Sequence, residues 1–265
     1  MSDSHPPRFE QSLHVRKVHS LRTLTWLARG WSDFMAAPGV GLAHGVAMGV
    51  FGGLMLWVAW DQFWVLAGAI SGFLMVAPVL STGLYAVSRA LLRGESVGFH
   101  TVWSVWSSLD LRLVKFGVLL TALGTGWVMS SAALITLGVT PRISTPSDFL
   151  HRVVLAPNPG LFEIWLIVGG LMAAPVFASS LVAIPLLLDR DVSVQRAVLT
   201  SWRAVVTNPI CTSLWAAIVM SLCLLGLGTL MFGLMLVMPV LGHATWHAYR
   251  DLVVRETGAT PPPNS

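Results

Sequence analysis

Three histidines are the residues of this chain best suited to chemistry within its apolar stretches. His44 lies six residues after Pro38, and His243 lies seven residues before Arg250. At the helical rise, both would sit about 9–10 Å from the end of a helix, at similar depth. His247 follows His243 by one helical turn and shares its face. Imidazoles in this arrangement could ligate a haem or a metal ion, or could make hydrogen bonds between helices. We favour hydrogen bonding, because no carboxylate or thiolate lies at matching depth to complete a metal site.

The other chemistry-bearing residues indicate no second site. The sequence contains no P-loop, nucleophile elbow, paired carboxylates or zinc-ligand cluster. Cys211 and Cys223 lie twelve residues apart on one predicted helix. That spacing separates them by about 18 Å, so we interpret both as small apolar residues and predict no disulfide between them. We assign no catalytic residue, no metal and no cofactor, with haem as the alternative cofactor.

Long uncharged runs are the elements that must position these histidines. The chain has 265 residues, of which 55% are hydrophobic and 11% are charged, whereas soluble domains carry about 25% charged residues. A membrane-spanning helix needs roughly 20 residues. Four uncharged runs hold 25 to 27 residues, and a fifth run of 46 residues is long enough for two spans: 34–60, 62–88, 116–141, 164–188 and 204–249. The sequence therefore predicts an all-α, polytopic bundle of six transmembrane helices.

The positions of Lys and Arg predict the orientation of the bundle. Fourteen of the sixteen fall on the side that carries the two termini, and only Arg142 and Arg152 fall on the other. By the positive-inside rule, both termini face the cytoplasm. The net charge of +4 then reflects the cytoplasmic segments of a membrane protein. It does not indicate binding to nucleic acid, and we predict no nucleic-acid partner. The expected surroundings are a bacterial inner membrane, with the lipid bilayer and other membrane proteins as partners.

A repeated motif divides the chain into three units. Residues 78–89 read P-V-L-S-T-G-L-Y-A-V-S-R, and residues 239–250 read P-V-L-G-H-A-T-W-H-A-Y-R. Both copies have an aromatic residue seven positions after the proline and an arginine eleven positions after it; the members are Pro78, Tyr85, Arg89, Pro239, Trp246 and Arg250. A weaker copy starts at Pro175 and carries Val182 and Leu186 at those positions. We expect the returning helices to kink near the three prolines, because each removes a backbone hydrogen bond.

Each unit reads as a short interfacial helix with tryptophan, a rising helix, a turn and a returning helix bearing the motif. The units are about 22–94, 96–190 and 193–253, within a membrane domain of 21–253. Pro38 and Pro209 are expected to open the first and fifth spans, since proline suits the first helical turn. Residues 1–20 and 254–265 are predicted to be disordered cytoplasmic termini.

Four glycines on the first span predict close helix packing. Gly41, Gly45, Gly49 and Gly53 recur at steps of four and share one face. In lipid, helix association depends on close van der Waals contact, which small residues permit. We expect this face to pack against another helix of the same chain; the alternative is a homo-oligomer contact.

The sequence resembles the domain-of-unknown-function 2189 family of predicted bacterial integral membrane proteins. The resemblance covers about 20–253 and rests on four segments: 31–38 (W-S-D-F-M-A-A-P), 78–89, 186–191 (L-L-L-D-R-D) and 241–251 (L-G-H-A-T-W-H-A-Y-R-D). It implies a multi-helix inner-membrane protein of Gram-negative type, and it implies no activity.

Three function classes follow. The first is a non-enzymatic protein that assembles or organises other membrane components, the second a transporter or channel for a small uncharged solute, and the third a haem-binding redox protein. The first repeat has Thr82 and Ala86 where the third has His243 and His247, so the histidines exceed what the repeat requires. We therefore predict that His243 faces the bundle interior near His44, in a small polar site open to the cytoplasm.

Overall fold

The computed structural model describes residues 13–59, 61–108, 110–140, 143–156 and 160–255. The described chain is helical apart from two short strands, which confirms the all-α prediction. Its elements, in order, are β1 (Leu13–Val15), α1 (Arg22–Ala36), α2 (Pro38–Ala59), α3 (Phe63–Leu80), α4 (Thr82–Leu92), α5 (Phe99–Ser107), α6 (Leu111–Gly138), α7 (Pro146–Phe149) with a π-helical turn (Leu150–Val154), α8 (Leu161–Ser180), α9 (Ala183–Asp189), α10 (Val194–Thr207), α11 (Pro209–Gly228), α12 (Leu234–Leu252) and β2 (Val253–Arg255).

Four segments of the described chain are long and apolar enough to cross a membrane, where the sequence predicted six spans. They are Pro38–Met55, Leu111–Gly138, Leu161–Asp189 and Pro209–Gly228. The places of the second and sixth predicted spans are taken by α3 and α12, helices of 18 and 19 residues. The second half of α12 carries two histidines, an arginine and an aspartate, whereas the first half is apolar.

Short helices precede three of the long ones, as the sequence predicted. α1, α5 and α10 lie directly before α2, α6 and α11. Pro38 and Pro209 are the first residues of α2 and α11, where the missing N–H of proline leaves no hydrogen bond unmade. At the α5–α6 junction, Asp110 caps α6 by accepting the backbone N–H of Arg112. Hydrogen bonds from the Arg112 side chain hold the pKa of Asp110 below its usual value.

The two ends of the described chain pair with each other. β1 and β2 form an antiparallel two-stranded sheet in which Leu13 lies opposite Arg255. The Asn208 side chain fixes the next residues, because it accepts the backbone N–H of Val18 at 2.7 Å and donates to the carbonyl of Arg16 at 3.0 Å. The predicted disorder of 1–20 and 254–265 is therefore wrong for 13–20 and 254–255. Residues 1–12 and 256–265 lie outside the described chain.

The main core lies where the three copies of the motif meet. Position seven after the proline is Tyr85 in α4, Val182 at the start of α9 and Trp246 in α12, and all three are buried in one hydrophobic cluster. The cluster also contains Trp26 of α1 and Trp215 of α11, whose rings meet edge to face at 5.7 Å. The equivalent aromatic and aliphatic residues of the motif are thus core residues.

Two of the three returning helices are interrupted a few residues after their motif prolines. α3 and α4 are separated at Ser81, and α8 runs through Pro175 to Ser180 before the chain breaks at Leu181 and Val182. Leu181 lies four residues before Pro185, which has no N–H to offer its carbonyl. α12 continues unbroken through Pro239. Pro78 lies in α3, but its side chain is outside the described part of the structure.

The glycine face of α2 packs against α12 of the same chain. A β-carbon on Gly41 would lie 2.5 Å from the Phe34 ring, and one on Gly49 would lie 2.6 Å from Met235 Cε. A β-carbon on Gly45 would overlap the carbonyl oxygen of Met235, whereas one on Gly53 would meet nothing within 4 Å. A homo-oligomer contact through the first three glycines would therefore have to displace Phe34 of α1 at Gly41, and α12 at Gly45 and Gly49.

Candidate functional site

His44 lies on α2 with one ring nitrogen engaged and the other without a partner. Nδ1 lies 2.9 Å from the carbonyl oxygen of Val40, one turn earlier. A carbonyl only accepts, so Nδ1 carries the hydrogen, and in the neutral ring Nε2 holds a lone pair. The side chain is 8% exposed, and its Nε2 has no hydrogen-bond partner among the described residues. His44 is thus a buried acceptor whose orientation is fixed by its own helix.

His243 lies on α12 and is fully buried. Its Nδ1 lies 2.8 Å from Ser88 Oγ on α4, and its Nε2 has no hydrogen-bond partner within the described chain. His44, His247 and Asp33 lie close enough to act electrostatically on this ring. His243 therefore points into the protein, in the direction that the sequence predicted.

Both rings approach the first turns of α4. His44 Nε2 lies 3.0 Å from the position of a β-carbon on Gly83, and the Leu84 side chain would lie 2.7 Å from one on Gly242, the neighbour of His243. A side chain at 83 would press on the His44 ring and more closely on Val102, whose Cγ1 would lie 2.7 Å from the β-carbon. The first turns of α4 thus contact both histidine-bearing helices, which also pack directly on each other, and each ring keeps one nitrogen without a partner among the described residues.

His247 is used differently from the other two histidines. Its Nε2 lies 2.8 Å from Asp33 Oδ2 of α1, and both side chains are largely buried. The contact joins the end of the first short helix to the end of the last helix. Sequence reasoning grouped His247 with His243 and missed Asp33, which stood out only as an acidic residue within an amphipathic segment.

We expect the Asp33–His247 contact to stabilise the packing of α1 on α12. Asp33→Ala would leave the buried His247 nitrogen without an acceptor, which costs about 1–3 kcal/mol. Because the two groups touch, the double variant with His247→Ala should lose less stability than the sum of the two single variants. Thermal unfolding of the purified protein in detergent measures all three; additive losses would contradict the contact. Asp61→Ala, at an exposed position, is the control.

A charged cluster fixes the ends of the motif-bearing helices. Asp251 of α12 accepts hydrogen bonds from Trp26 Nε1 at 2.7 Å and from Arg22 Nε at 2.9 Å. Arg16 Nε donates to the backbone carbonyl of the same aspartate at 3.1 Å. Tyr249 donates to Asp189 of α9 at 2.7 Å. These charges therefore serve contacts within the chain.

The two arginines of the motif have different surroundings. Arg89 Nη1 donates to the carbonyl of Leu188 in the last turn of α9 at 3.0 Å, so it caps a neighbouring helix. Arg250 is exposed. Trp246, buried beside Tyr249 at 5.4 Å between ring centroids, keeps an Nε1 without a hydrogen-bond partner among the described residues.

An open cavity of about 970 Å³ lies beside His44, between α2, α3, α5 and α6. Trp106 of α5 meets the His44 ring edge to face at 5.3 Å. The sequence predicted neither this cavity nor Trp106 as a neighbour, because α5 is remote from α2 along the chain. The described residues contain no group of three histidines, cysteines or carboxylates placed to hold a metal ion. Of the two buried imidazoles with an unpartnered nitrogen, His44 lines this apolar space, and His243 is not among its described lining residues.

Comparison with known proteins identifies one family. No curated protein and no solved structure matches the chain significantly. Residues 65–189, which cover α3 to α9, match the model of a family described as predicted integral membrane protein, domain of unknown function 2189 (DUF2189). The match covers the first two of the three motif copies and ends at Asp189, the acceptor of Tyr249. Over this segment the chain is therefore similar to the predicted integral membrane proteins of the DUF2189 family.

Proposed function

We propose that the protein is a non-enzymatic membrane protein that assembles or organises other components of a bacterial inner membrane. The observation that carries the proposal is the closed end of the bundle, where α4, α9 and α12 meet in one core. The charged residues at these helix ends, Asp251 and Asp189, are engaged by partners in the same chain. A bundle closed in this way is better suited to a scaffold than to a transporter, which would need a polar pathway through the protein.

The topology that goes with this proposal is six spans in three hairpins with both termini in the cytoplasm. α3 and α12 follow α2 and α11 as returning helices, and fourteen of sixteen Lys and Arg residues fall on the side of the termini. Reporter fusions at Ser2 and Ser265 test the arrangement. Both should report cytoplasm, and opposite locations would contradict an even number of spans.

Cross-linking and purification of the tagged full-length chain from its native membrane test the scaffold function. We expect a second membrane protein in near-equal amount. Gly53→Ala, which adds a methyl group where there is space, should recover the same partner. Gly45→Leu, which disrupts α2 against α12, should lose it. Recovery of the chain with lipid alone would contradict the proposal.

A transporter for a small uncharged solute is the second candidate. The observation that favours it is the interruption of two returning helices, at Ser81 and at Leu181–Val182, since broken helices line substrate sites in many transporters. Purified protein in liposomes should then accelerate solute efflux. Efflux equal to that of protein-free liposomes, across a panel of small neutral solutes, would exclude this function for the solutes tested.

A further inference from the structure

We propose that a cavity walled by aromatic rings between α3, α6, α7 and α8 binds a trimethylammonium group, carried either by a small free solute or by a lipid head group. The site shares no described lining residue with the cavity beside His44, and it does not depend on the scaffold function. Its support is the arrangement of the rings, the hydrogen-bonding capacity of the lining and the charge of the surrounding chain.

Five aromatic side chains from four helices surround a cavity of about 230 Å³. They are Phe63 and Trp64 of α3, Trp127 of α6, Phe149 of α7 and Trp165 of α8. Phe149 stacks on Phe63 with 23° between the ring planes. Trp165 meets Phe149 edge to face at 68° and lies at 42° to Trp127. The rings therefore enclose the space from different directions, and cages of aromatic rings attract quaternary ammonium groups.

The connecting segment between α6 and α8 builds one wall of this aromatic cavity. Aromatic residues at helix ends commonly anchor membrane helices in the interface, and such anchors need no cavity. Here Phe149 comes from the short helix α7 and contacts rings of both α3 and α8. The backbone N–H of Phe63 donates to the carbonyl of Ser144 at 3.1 Å, which fixes the segment against the start of α3. The rings are thus positioned around a space by tertiary contacts.

The lining favours a fully alkylated ammonium group over a primary one. No charged side chain is among the described lining residues, and Ser131 supplies the one hydroxyl there. Ser131 Oγ already accepts Trp165 Nε1–H at 2.6 Å, so it could accept at most one further donor. A primary ammonium group brings three N–H donors, most of which would stay unpaired at a desolvation cost. A trimethylammonium group has no N–H and can place its charge against the rings without losing a hydrogen bond.

The chain around the cavity is acidic. Each of the three segments that carry rings from α3, α7 and α8 has a carboxylate within two residues of a ring: Asp61, Asp148 and Glu163. Backbone N–H groups of residues 144 and 145 donate to Asp148 at 3.1 and 3.0 Å and hold its pKa below the usual value, so it is an anion at neutral pH. Within described residues 61–64, 143–156 and 160–165, Arg152 is the one arginine and there is no lysine. This balance attracts a cation and disfavours an anion.

Ligand-observed NMR on the full-length protein in maltoside micelles tests the site. Saturation transfer to the probe is titrated with choline, with dimethylbutanol, in which carbon replaces the charged nitrogen of choline, and with ethanolamine, which keeps the N–H groups. Choline should bind about tenfold more tightly than dimethylbutanol and more tightly than ethanolamine. Dihexanoylphosphatidylcholine below its micelle concentration distinguishes the two sources. Tighter binding than choline assigns the site to a lipid head group, and equal or weaker binding assigns it to a free solute.

Variants separate the rings from the apolar space. The double variant Trp127→Leu with Phe149→Leu removes two rings, so choline and dimethylbutanol should bind within about threefold of each other. The matched double variant Trp127→Phe with Phe149→Tyr keeps a ring at both positions and should keep the preference for choline. Trp31→Leu on α1, a tryptophan that is 48% exposed and outside the cavity, should behave as wild type. Each variant is compared only as a monodisperse peak on gel filtration.

Four results would overturn the proposal, and two of them need no variant. Equal binding of choline and dimethylbutanol to wild type would make the cavity a site for apolar groups only. A choline signal no stronger than that of protein-free micelles would remove the site altogether. Tighter binding of ethanolamine than of choline would assign the recognition to hydrogen bonds. A preference for choline that survives in the double leucine variant would place its binding outside the ring of aromatic side chains.

Discussion

Replacing Gly45 with alanine is expected to destabilise the protein more than any other single methyl addition on α2. The added β-carbon would overlap the carbonyl oxygen of Met235, a backbone atom that no side-chain rotation can move. α2 and α12 would have to separate. Overpacking typically costs about 1–3 kcal/mol, and a backbone clash places Gly45→Ala at the upper end of that range. The melting temperature in detergent measures the loss.

The Met235 carbonyl lacks a hydrogen-bond donor within its own helix. Met235 lies four residues before Pro239, and proline has no N–H to donate to it. A free carbonyl is costly in an apolar environment, and the Cα hydrogens of a glycine that approaches closely can partly satisfy it. Pro239 and Gly45 therefore act together: one frees the oxygen, and the other allows α2 close enough to cover it. This is also why α12 stays helical through its proline.

Gly53→Ala is the matched control for Gly45→Ala. It lies two helical turns further along α2, and a β-carbon there would meet nothing within 4 Å. Alanine favours helix over glycine by about 1 kcal/mol, so this variant should melt at the same temperature as wild type or slightly higher. Equal melting temperatures for the two variants would mean that α12 does not contact Gly45.

The sequence predicted the parts of this contact but not their pairing. The step of four in Gly41, Gly45 and Gly49 indicated a packing face, and the prolines indicated missing hydrogen bonds, because both signals are local. Which carbonyl meets which glycine depends on the register between helices that lie almost 200 residues apart. The same limit explains Ser81 and Leu181, where the chain breaks three and six residues after the prolines at 78 and 175.

At the histidine site, too, the sequence predicted the local features but not the partners from distant helices. Helical spacing indicated that His243 and His247 share a face, and the comparison of repeats singled both out. The structure gives them different partners, Ser88 for His243 and Asp33 for His247, because their neighbours come from different helices. Ser88 and Trp106 gave no signal in the sequence, since serine and tryptophan are unremarkable in an apolar helix and at an interface.

Asp251 provides the second large expected effect. Its side chain is 10% exposed and accepts hydrogen bonds from the indole of Trp26 and the guanidinium of Arg22. Asp251→Ala would leave the buried indole N–H without its acceptor and Arg22 without its counter-ion. Breaking a buried ion pair costs about 3–5 kcal/mol; because Arg22 reaches solvent, we expect about 2–3 kcal/mol here.

Two further variants identify the cause of that loss. Asp251→Asn keeps an oxygen for the indole but removes the charge, so it should lose less stability than Asp251→Ala. Glu95→Ala should change the melting temperature little, because the Glu95–Arg93 pair is more than half exposed and exposed pairs contribute about 0–1 kcal/mol. The Asp251 carboxylate also pairs with Arg16, whose Nη2 lies 3.4 Å from Oδ1, next to the strand pair of residues 13–15 and 253–255. Limited proteolysis of Asp251→Ala should therefore cut near residues 13–20 sooner than in wild type. Unchanged cutting together with a lower melting temperature would confine the role of Asp251 to the contact between α1 and α12.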